Sequence, residues 1–537
     1  MPDATNEMSR RGFMKVAAAG AGALAAAGIG VKDVDAAPIP KKWDMEADVV
    51  IAGFGGAGAC AAIEAAKAGA SVLLFDKSEV PGGSTRLSGG IIYAAGTKTQ
   101  KDAGLADNSE AMYKYIMACG RGGAKPELVK LASEMSNENI EWIRAMGAEF
   151  PVELLAMSGM EFLPEYTAVT PATKRGHRVK GGGRALFRVM AEAVKAQKNV
   201  KTVLGAQVVR PIVRPAKGNG DFEVIGVKIL RRGREMNVRA KKAVVLATGG
   251  IVSSPGCIPW LRDYSPDLAD TVPTGDINAT GDGYRIGIYC GGAMKGLNTI
   301  CSLPSAMFPG QKMASIVYAN IWGIPNIYVR KDGKRFVDEG TYYVLVCEAM
   351  IEKKATTSFC IMDATSVKRA LEIAESGKAK GISPEMTIAI GLDPRNLDKQ
   401  AQSGDLWRAD TVAELARQMN LDPSAVEKTV AFYNRDAEAG RDSEFGRKKA
   451  LAPLKKPPFY GFKVNVGMIA HDGGLDINTK SQVLNSFGEI IPRLYAAGRD
   501  AIGVFGGRYP GSGTAISDLL TFGRVAGRFA AAEKSWK

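Results

Sequence analysis

The segment Gly53-Phe54-Gly55-Gly56-Ala57-Gly58 constrains this chain more than any other. It leaves a buried-strand pattern, Ala47 to Ile51 (ADVVI), and opens an Ala-rich run through Ala68 that reads as a helix. Gly69-Ala70 ends that helix, Ser71 to Phe75 (SVLLF) reads as a second strand, and Asp76 closes it. G-x-G-x-x-G between strand and helix, with an acid about 20 residues on, is the signature of a dinucleotide-binding βαβ unit. Each position has a task. Gly53 permits the tight turn, Gly55 lets backbone N–H groups approach a pyrophosphate, and Gly58 allows close helix–strand packing. The helix N-terminus favours negative charge, and Asp76 is placed to accept hydrogen bonds from an adenosine ribose.

The residues after Asp76 point to a flavin rather than a nicotinamide. Pro81-Gly82-Gly83-Ser84-Thr85-Arg86-Leu87-Ser88-Gly89-Gly90 offers small side chains and hydroxyls that suit a backbone threading beneath a flavin. Ala243 to Gly250 (AVVLATGG) reads as a buried strand ending in Gly-Gly. Leu494-Tyr495-Ala496-Ala497-Gly498 and Thr514 to Ala532 read as a strand and then a helix. There is no second complete fingerprint, so NAD(P)H is not expected as the direct donor.

Size and charge narrow the function classes. A chain of 537 residues has room for two or more domains, and 46% hydrophobic with 23% charged residues is a globular balance. The net charge of +14 is scattered, with no nucleic-acid-binding module, so no nucleic acid partner is expected. An acidic electron-transfer partner or a membrane surface remains open. Seven cysteines without a C-x-x-C pair leave zinc, iron–sulfur and c-type haem sites unsupported, and no metal is expected. Ser9-Arg10-Arg11-Gly12-Phe13-Met14-Lys15, a short Ala/Gly run and Val34-Asp35-Ala36-Ala37 resemble a twin-arginine signal peptide over 1–37. The expected location is therefore periplasmic or otherwise exported. No later stretch reads as a transmembrane segment.

Together these segments resemble the fumarate reductase/succinate dehydrogenase flavoprotein superfamily, and in motif the 3-ketosteroid dehydrogenases most. The likeness runs from about Asp48 to Arg528 and includes Gly281-Asp282-Gly283 and Lys334-Arg335-Phe336-Val337-Asp338-Glu339. It implies an α/β fold with a discontinuous Rossmann-like FAD-binding domain, 45–300 and 465–537, and an inserted α+β catalytic cap, 301–464. It implies FAD as cofactor. The implied contacts are Gly53, Gly55, Gly56, Ala57, Gly58, Asp76, Lys77, Gly83, Ser84, Thr85, Ser88, Gly89 and Gly90 in the first part. Val208, Ala247, Gly249, Asp282, Gly498, Thr514, Ala515 and Ile516 complete the set.

Two branches of the superfamily separate at a few positions. Fumarate-type reductases carry a catalytic Arg four places past the Glu of the R-F-V-N-E-like motif, and here that place holds Tyr343. Their substrate His has no counterpart in Gly296-Leu297-Asn298-Thr299-Ile300-Cys301. Ketosteroid dehydrogenases carry Tyr-Pro-Gly-x-Gly before the last helix, matched by Tyr509-Pro510-Gly511-Ser512-Gly513, and a Tyr at the Tyr343 place. The resemblance implies that the Tyr509 hydroxyl and the Gly513 N–H grip a substrate carbonyl, while Tyr343 exchanges a proton at the neighbouring carbon. A further catalytic Tyr before a Pro-Glu pair is not matched; Tyr166 in Pro164-Glu165-Tyr166 only approaches it. Arg508 meets a substrate carboxylate or sits in solvent, and His177 is functional or structural with equal weight.

Hydride transfer belongs to the flavin, while two fixed donors on a carbonyl oxygen act as an oxyanion hole. The expected substrate is therefore a small-molecule carbonyl compound, with a separate electron donor or acceptor, cytochrome or quinone. Three functions follow. The first is a 3-ketosteroid-dehydrogenase-like enzyme acting on a CH–CH or C=C bond beside a carbonyl, by desaturation or enone reduction. The second is a periplasmic, fumarate-reductase-like respiratory reductase of an unsaturated organic acid. The third is a flavin electron-transfer subunit without chemistry of its own.

Overall fold

The computed structural model describes residues 39–151, 153–156, 160–215, 222–252, 265–268, 270–297, 299–377 and 383–536. The signal segment 1–37, Cys257 and Asn298 lie outside the described residues.

Strand β1 (Met45–Ala52) is central in an eight-stranded sheet. Val49, Val50, Ile51 and Ala52 are fully buried, as expected of a strand with parallel neighbours on both sides and both faces covered. Helix α1 (Gly56–Lys67) leads to β2 (Val72–Phe75), which lies parallel to β1 with Leu73 opposite Val50. The chain then forms α2 (Gly83–Leu87), β3 (Ile91–Tyr93), α3 (Ser109–Gly120), α4 (Pro126–Ala145), β4 (Gly176–Arg178) and α5 (Gly182–Lys195). It rejoins the sheet on β5 (Val200–Val203), parallel to β2. An antiparallel ribbon, β6 (Ala206–Arg214) and β7 (Glu223–Arg231), feeds β8 (Arg234–Leu246), which runs parallel to β1 with Val244 opposite Val50.

Helix α6 (Asp282–Tyr289) comes next, and most of a second, seven-stranded sheet lies after it. Its strands include β9 (Ile300–Ala306), β10 (Ile327–Val329) and, after helix α7 (Tyr343–Glu352), β11 (Thr357–Met362). All are organised by β12 (Phe459–His471), with β9 and β11 antiparallel on its two sides. The alternation Val464, Val466, Met468 faces a core shared with Tyr328, Val346 and Cys347. The expected junction at 464/465 falls inside this 13-residue strand, which is continuous because its alternation is unbroken across that point.

The chain end then returns to the first sheet. β13 (Ile490–Ala496) lies parallel to β8, and α8 (Thr514–Ala532) packs on α1. A Cβ at Gly527 would stand 2.3 Å from the Ala61 carbonyl oxygen, and one at Gly523 2.7 Å from that of Ala57. Backbone contact of this kind explains why α1 is Ala-rich. The loop entering α8 is fastened to α3. The Gly507 and Arg508 N–H groups donate to Gly120 O (2.7 Å) and Cys119 O (2.9 Å), and the Tyr115 hydroxyl donates to Pro510 O at 2.7 Å.

Among the described residues no helix is long and apolar enough to cross a membrane, and no cluster of His, Cys, Asp and Glu could hold a metal ion. The six described cysteines are buried free thiols.

Candidate active site

A cavity of about 1110 Å³ runs from the first sheet to the second. It opens beyond the C-terminal ends of β1, β2 and β8, where an open parallel sheet binds ligands. The fingerprint glycines divide into two kinds. A Cβ at Gly53 (φ +103°) would meet Ala247 O at 2.1 Å, and one at Gly58 would meet Gly53 O at 1.9 Å, so the protein's own packing requires both. Gly55 lines the cavity, and the nearest atom to a Cβ there is Gly82 O at 3.9 Å. A side chain on Gly55 would fill the cradle and nothing else. It stands at the start of α1, which has no side-chain cap, so the first N–H groups of that helix favour an anion there.

The other walls suit a dinucleotide. Asp76 accepts the Phe54 N–H at 2.7 Å and the Ser78 N–H at 2.8 Å; burial pushes its carboxyl up against those bonds. Lys77 reaches across to Asp282 Oδ2 (2.9 Å) and Thr280 Oγ1 (2.6 Å), joining the two sides of the cleft. Gly56, Ala57, Gly83, Ser84, Thr85, Ser88 and Gly89 line it on one side, and Val208, Ala247, Gly249, Gly498, Ala515 and Ile516 on the other. Gly58, Gly90 and Thr514 do not line it. Gly90 (φ +64°) instead lets two backbones meet, since a Cβ there would stand 2.3 Å from the Gly182 carbonyl carbon. Thr514 Oγ1 is buried and has no partner among the described residues, between the lining residues Gly513 and Ala515.

The opposite end of the cavity brings two tyrosines together. Tyr343 is the first residue of α7 and is 8% exposed. The stretch before it is held by a buried charge network. Arg335 donates to Glu339 (2.9 and 2.7 Å) and to Asp442 (3.1 and 2.9 Å), and Arg447 donates to Glu339 at 3.1 Å. Breaking one member of such a pair costs about 3–5 kcal/mol, so the approach to α7 is rigid. The Tyr343 hydroxyl shares a 2.8 Å hydrogen bond with Ser512 Oγ. Tyr509 lies on the loop into α8, stacked on Phe505 at 5.9 Å and 14°. Burial pushes both phenols well above the usual tyrosine range, so both are neutral donors. Gly513, with φ +101°, caps α8 beside them and lines the same cavity.

Residues 48–516 match the FAD binding domain family. Fumarate reductase (cytochrome) of Shewanella frigidimarina is 32% identical over 489 residues, covering 90% of this chain and 77% of that one. The chain belongs to the FAD-binding fumarate reductase family. It is an FAD-dependent oxidoreductase acting on carbon–carbon double bonds, which removes the reading as a carrier without chemistry. Two solved structures of this family are similar across 91% of the chain at 28% identity. One is an open flavocytochrome c3 fumarate reductase (TM-score 0.72, 79% of that chain). The other is 3-ketosteroid-Δ4-(5α)-dehydrogenase from Rhodococcus jostii (TM-score 0.67, 98% of that chain).

Within this family fold, three expected substrate residues lie off the cavity. Arg508 is neither a cavity residue nor solvated. It chelates Glu348 (2.7 and 2.6 Å) and donates to Glu165 and the Tyr166 hydroxyl, both at 2.7 Å. Tyr166 is buried edge-on to Tyr115, at 5.3 Å. His177 bonds Thr97 Oγ1 (2.8 Å) and Arg175 O (2.9 Å), and burial lowers its pKa, which makes it a neutral structural residue. His471 also stays off the cavity wall. Its Nδ1 accepts the Gly473 N–H at 3.1 Å, so Nε2 carries the proton and donates to Leu297 O at 2.6 Å.

Other charged and aromatic residues line the cavity. Arg178 follows His177 in β4 and, by strand alternation, points the opposite way, into the cavity. Arg499 also lines the cavity. It is ion-paired with the buried Asp472, and its guanidinium stands 4.4 Å from the Phe505 ring centroid and 5.9 Å from that of Tyr509. Burial pushes Asp472 up to about 6 against this pairing. Tyr318 and Trp322, with ring centroids 6.2 Å apart, and Tyr342 are aromatic residues on the lining. The period-two pattern of β4 was a usable signal for Arg178; the Arg499–Asp472 pair, 27 residues apart, had none.

Proposed function

We propose that this enzyme reduces a C=C bond conjugated to a carbonyl, with the residue set of a 3-ketosteroid dehydrogenase working in the reductive direction. One observation carries the reading: two buried neutral phenols and the capping Gly513 meet at the end of a cavity whose other half suits FAD. Gly55, Gly56, Ala57, Asp76 and the start of α8 would hold FAD, which when bound would supply the hydride chemistry. The Tyr509 hydroxyl and the Gly513 N–H hold the carbonyl oxygen and take up its negative charge as the far alkene carbon gains hydride. Tyr343 then gives its proton to the carbon next to the carbonyl, so one hydride and one proton saturate the bond. Ser512, half-buried and 2.8 Å away, relays a proton from solvent to Tyr343, accepting one as it gives one up. Burial keeps the Tyr343 phenol protonated, the state that can give a proton, whereas desaturation needs its phenolate. The electrons come from a separate carrier, a cytochrome or quinol. The proposal includes export by the twin-arginine segment and division into an FAD-binding part and an inserted cap, expected over 301–464, with β12 shared across its second junction.

The second reading, an exported respiratory reductase of an unsaturated acid, draws on the likeness to a cytochrome-linked fumarate reductase. Tyr343 in the place of a catalytic Arg counts against fumarate itself. A viologen-driven assay of the FAD-loaded enzyme separates the two. Conjugated ketones are expected to be reduced, with deuterium from solvent entering beside the carbonyl. Turnover of unsaturated diacids with no ketone reduced would overturn the first reading.

A further inference from the structure

We propose that Arg178 binds an anionic group of the substrate, so that the preferred substrate is a planar, aromatic-bodied unsaturated carbonyl compound bearing a carboxylate remote from the reacting bond. This deepens the reading above and rests on it. Arg178 lines the cavity and, among the described residues, has neither an ion pair nor a hydrogen bond from its side chain. Arg178 is exposed, so its guanidinium is open both to solvent and to a ligand entering the cavity. The same cavity is lined by apolar Leu155, Leu163 and Ile316 and by the flat side chains of Tyr318, Trp322 and Tyr342. Tyr318 lines the same cavity as Arg178, and its ring centroid stands 6.2 Å from that of Trp322. Lys448, also on the lining and without an ion pair among the described residues, adds positive charge.

The contrast with Arg508 is direct. That guanidinium is saturated by two carboxylates and a phenol and has nothing left for a ligand. Arg178 keeps its forked donors for a carboxylate that enters the cavity. A neutral polycyclic ketone would use the aromatic lining and leave Arg178 idle; an anionic planar one uses both.

The test compares benzalacetone with its para-carboxylate. Binding is read from flavin spectral shifts of the oxidised holoenzyme, so the answer does not depend on turnover. The carboxylate is expected to bind about tenfold tighter than the neutral ketone at low salt, an advantage that shrinks as salt rises. In Arg178→Gln that ratio collapses to near one, and Arg178→Lys restores part of it. Equal binding of the two compounds by the wild-type enzyme, or an unchanged ratio in Arg178→Gln, overturns the proposal. Reduction of neither compound by the viologen-reduced enzyme, with the binding ratio intact, instead sinks the enone-reductase reading and leaves the anion site standing.

Discussion

At the scale of single residues, Gly53 and Gly55 are two places apart and glycine for opposite reasons. Gly53 has a left-handed φ and a carbonyl 2.1 Å from where a Cβ would sit; Gly55 has ordinary φ and an open side. Gly55→Val is therefore expected to fold and lose FAD, whereas Gly53→Val is expected to fail in folding. Flavin absorbance per protein and the thermal unfolding midpoint check this. The Gly55 variant should lose the FAD-dependent rise in midpoint that binding to the native state confers. A Gly55→Val protein that keeps full flavin content would contradict the assignment of the cradle. The fingerprint was legible because its task is local: turn, helix start and acid lie within one βαβ unit. Tyr343 and Tyr509 were legible by likeness alone, and their meeting depends on α7 and the α8 loop converging. Arg508 was misread for the same reason. Its partners Glu165 and Glu348 lie 343 and 160 residues away, and no spacing announces them.

At the scale of elements, α8 joins the two halves of the account. Its C-terminal stretch lies on α1 through Gly523 and Gly527, and its N-terminus faces the cavity beside Tyr509. In its second turn Asp518 is buried and accepts the Val504 N–H at 3.0 Å; burial pushes its carboxyl up to about 7, with Arg499 opposing. A carboxyl whose folded pKa lies above its unfolded value stabilises the fold below the unfolded value and loses that contribution as pH rises through the folded one. The unfolding midpoint is thus expected to fall between about pH 4 and pH 7 on this group's account, and Asp518→Asn, which keeps the acceptor, should flatten that slope. An unchanged slope in the variant would place the titration elsewhere. The strands and helices of the first sheet were readable from apolar runs and turn glycines. The second sheet was not, because its long strand β12 spans 459–471 and pairs with segments more than 150 residues upstream.

At the scale of the whole molecule, two sheets meet along one cavity, and the chemistry needs both. The first, closed by the returning chain end, suits FAD; the second carries Tyr343 on a helix whose approach is locked by buried charges. The scattered net charge of +14 suits docking of an acidic electron carrier, which belongs to the proposal of a separate donor.

The claim on which all this turns is that Tyr343 and Tyr509 act on a carbonyl-conjugated double bond in front of bound FAD. Stopped-flow reoxidation of the pre-reduced holoenzyme by an enone, in wild type, Tyr343→Phe and Tyr509→Phe, tests it in a single turnover. Both variants are expected to keep full flavin content, while flavin reoxidation slows about a hundredfold or more in each. Wild-type reoxidation rates in both variants would contradict the account.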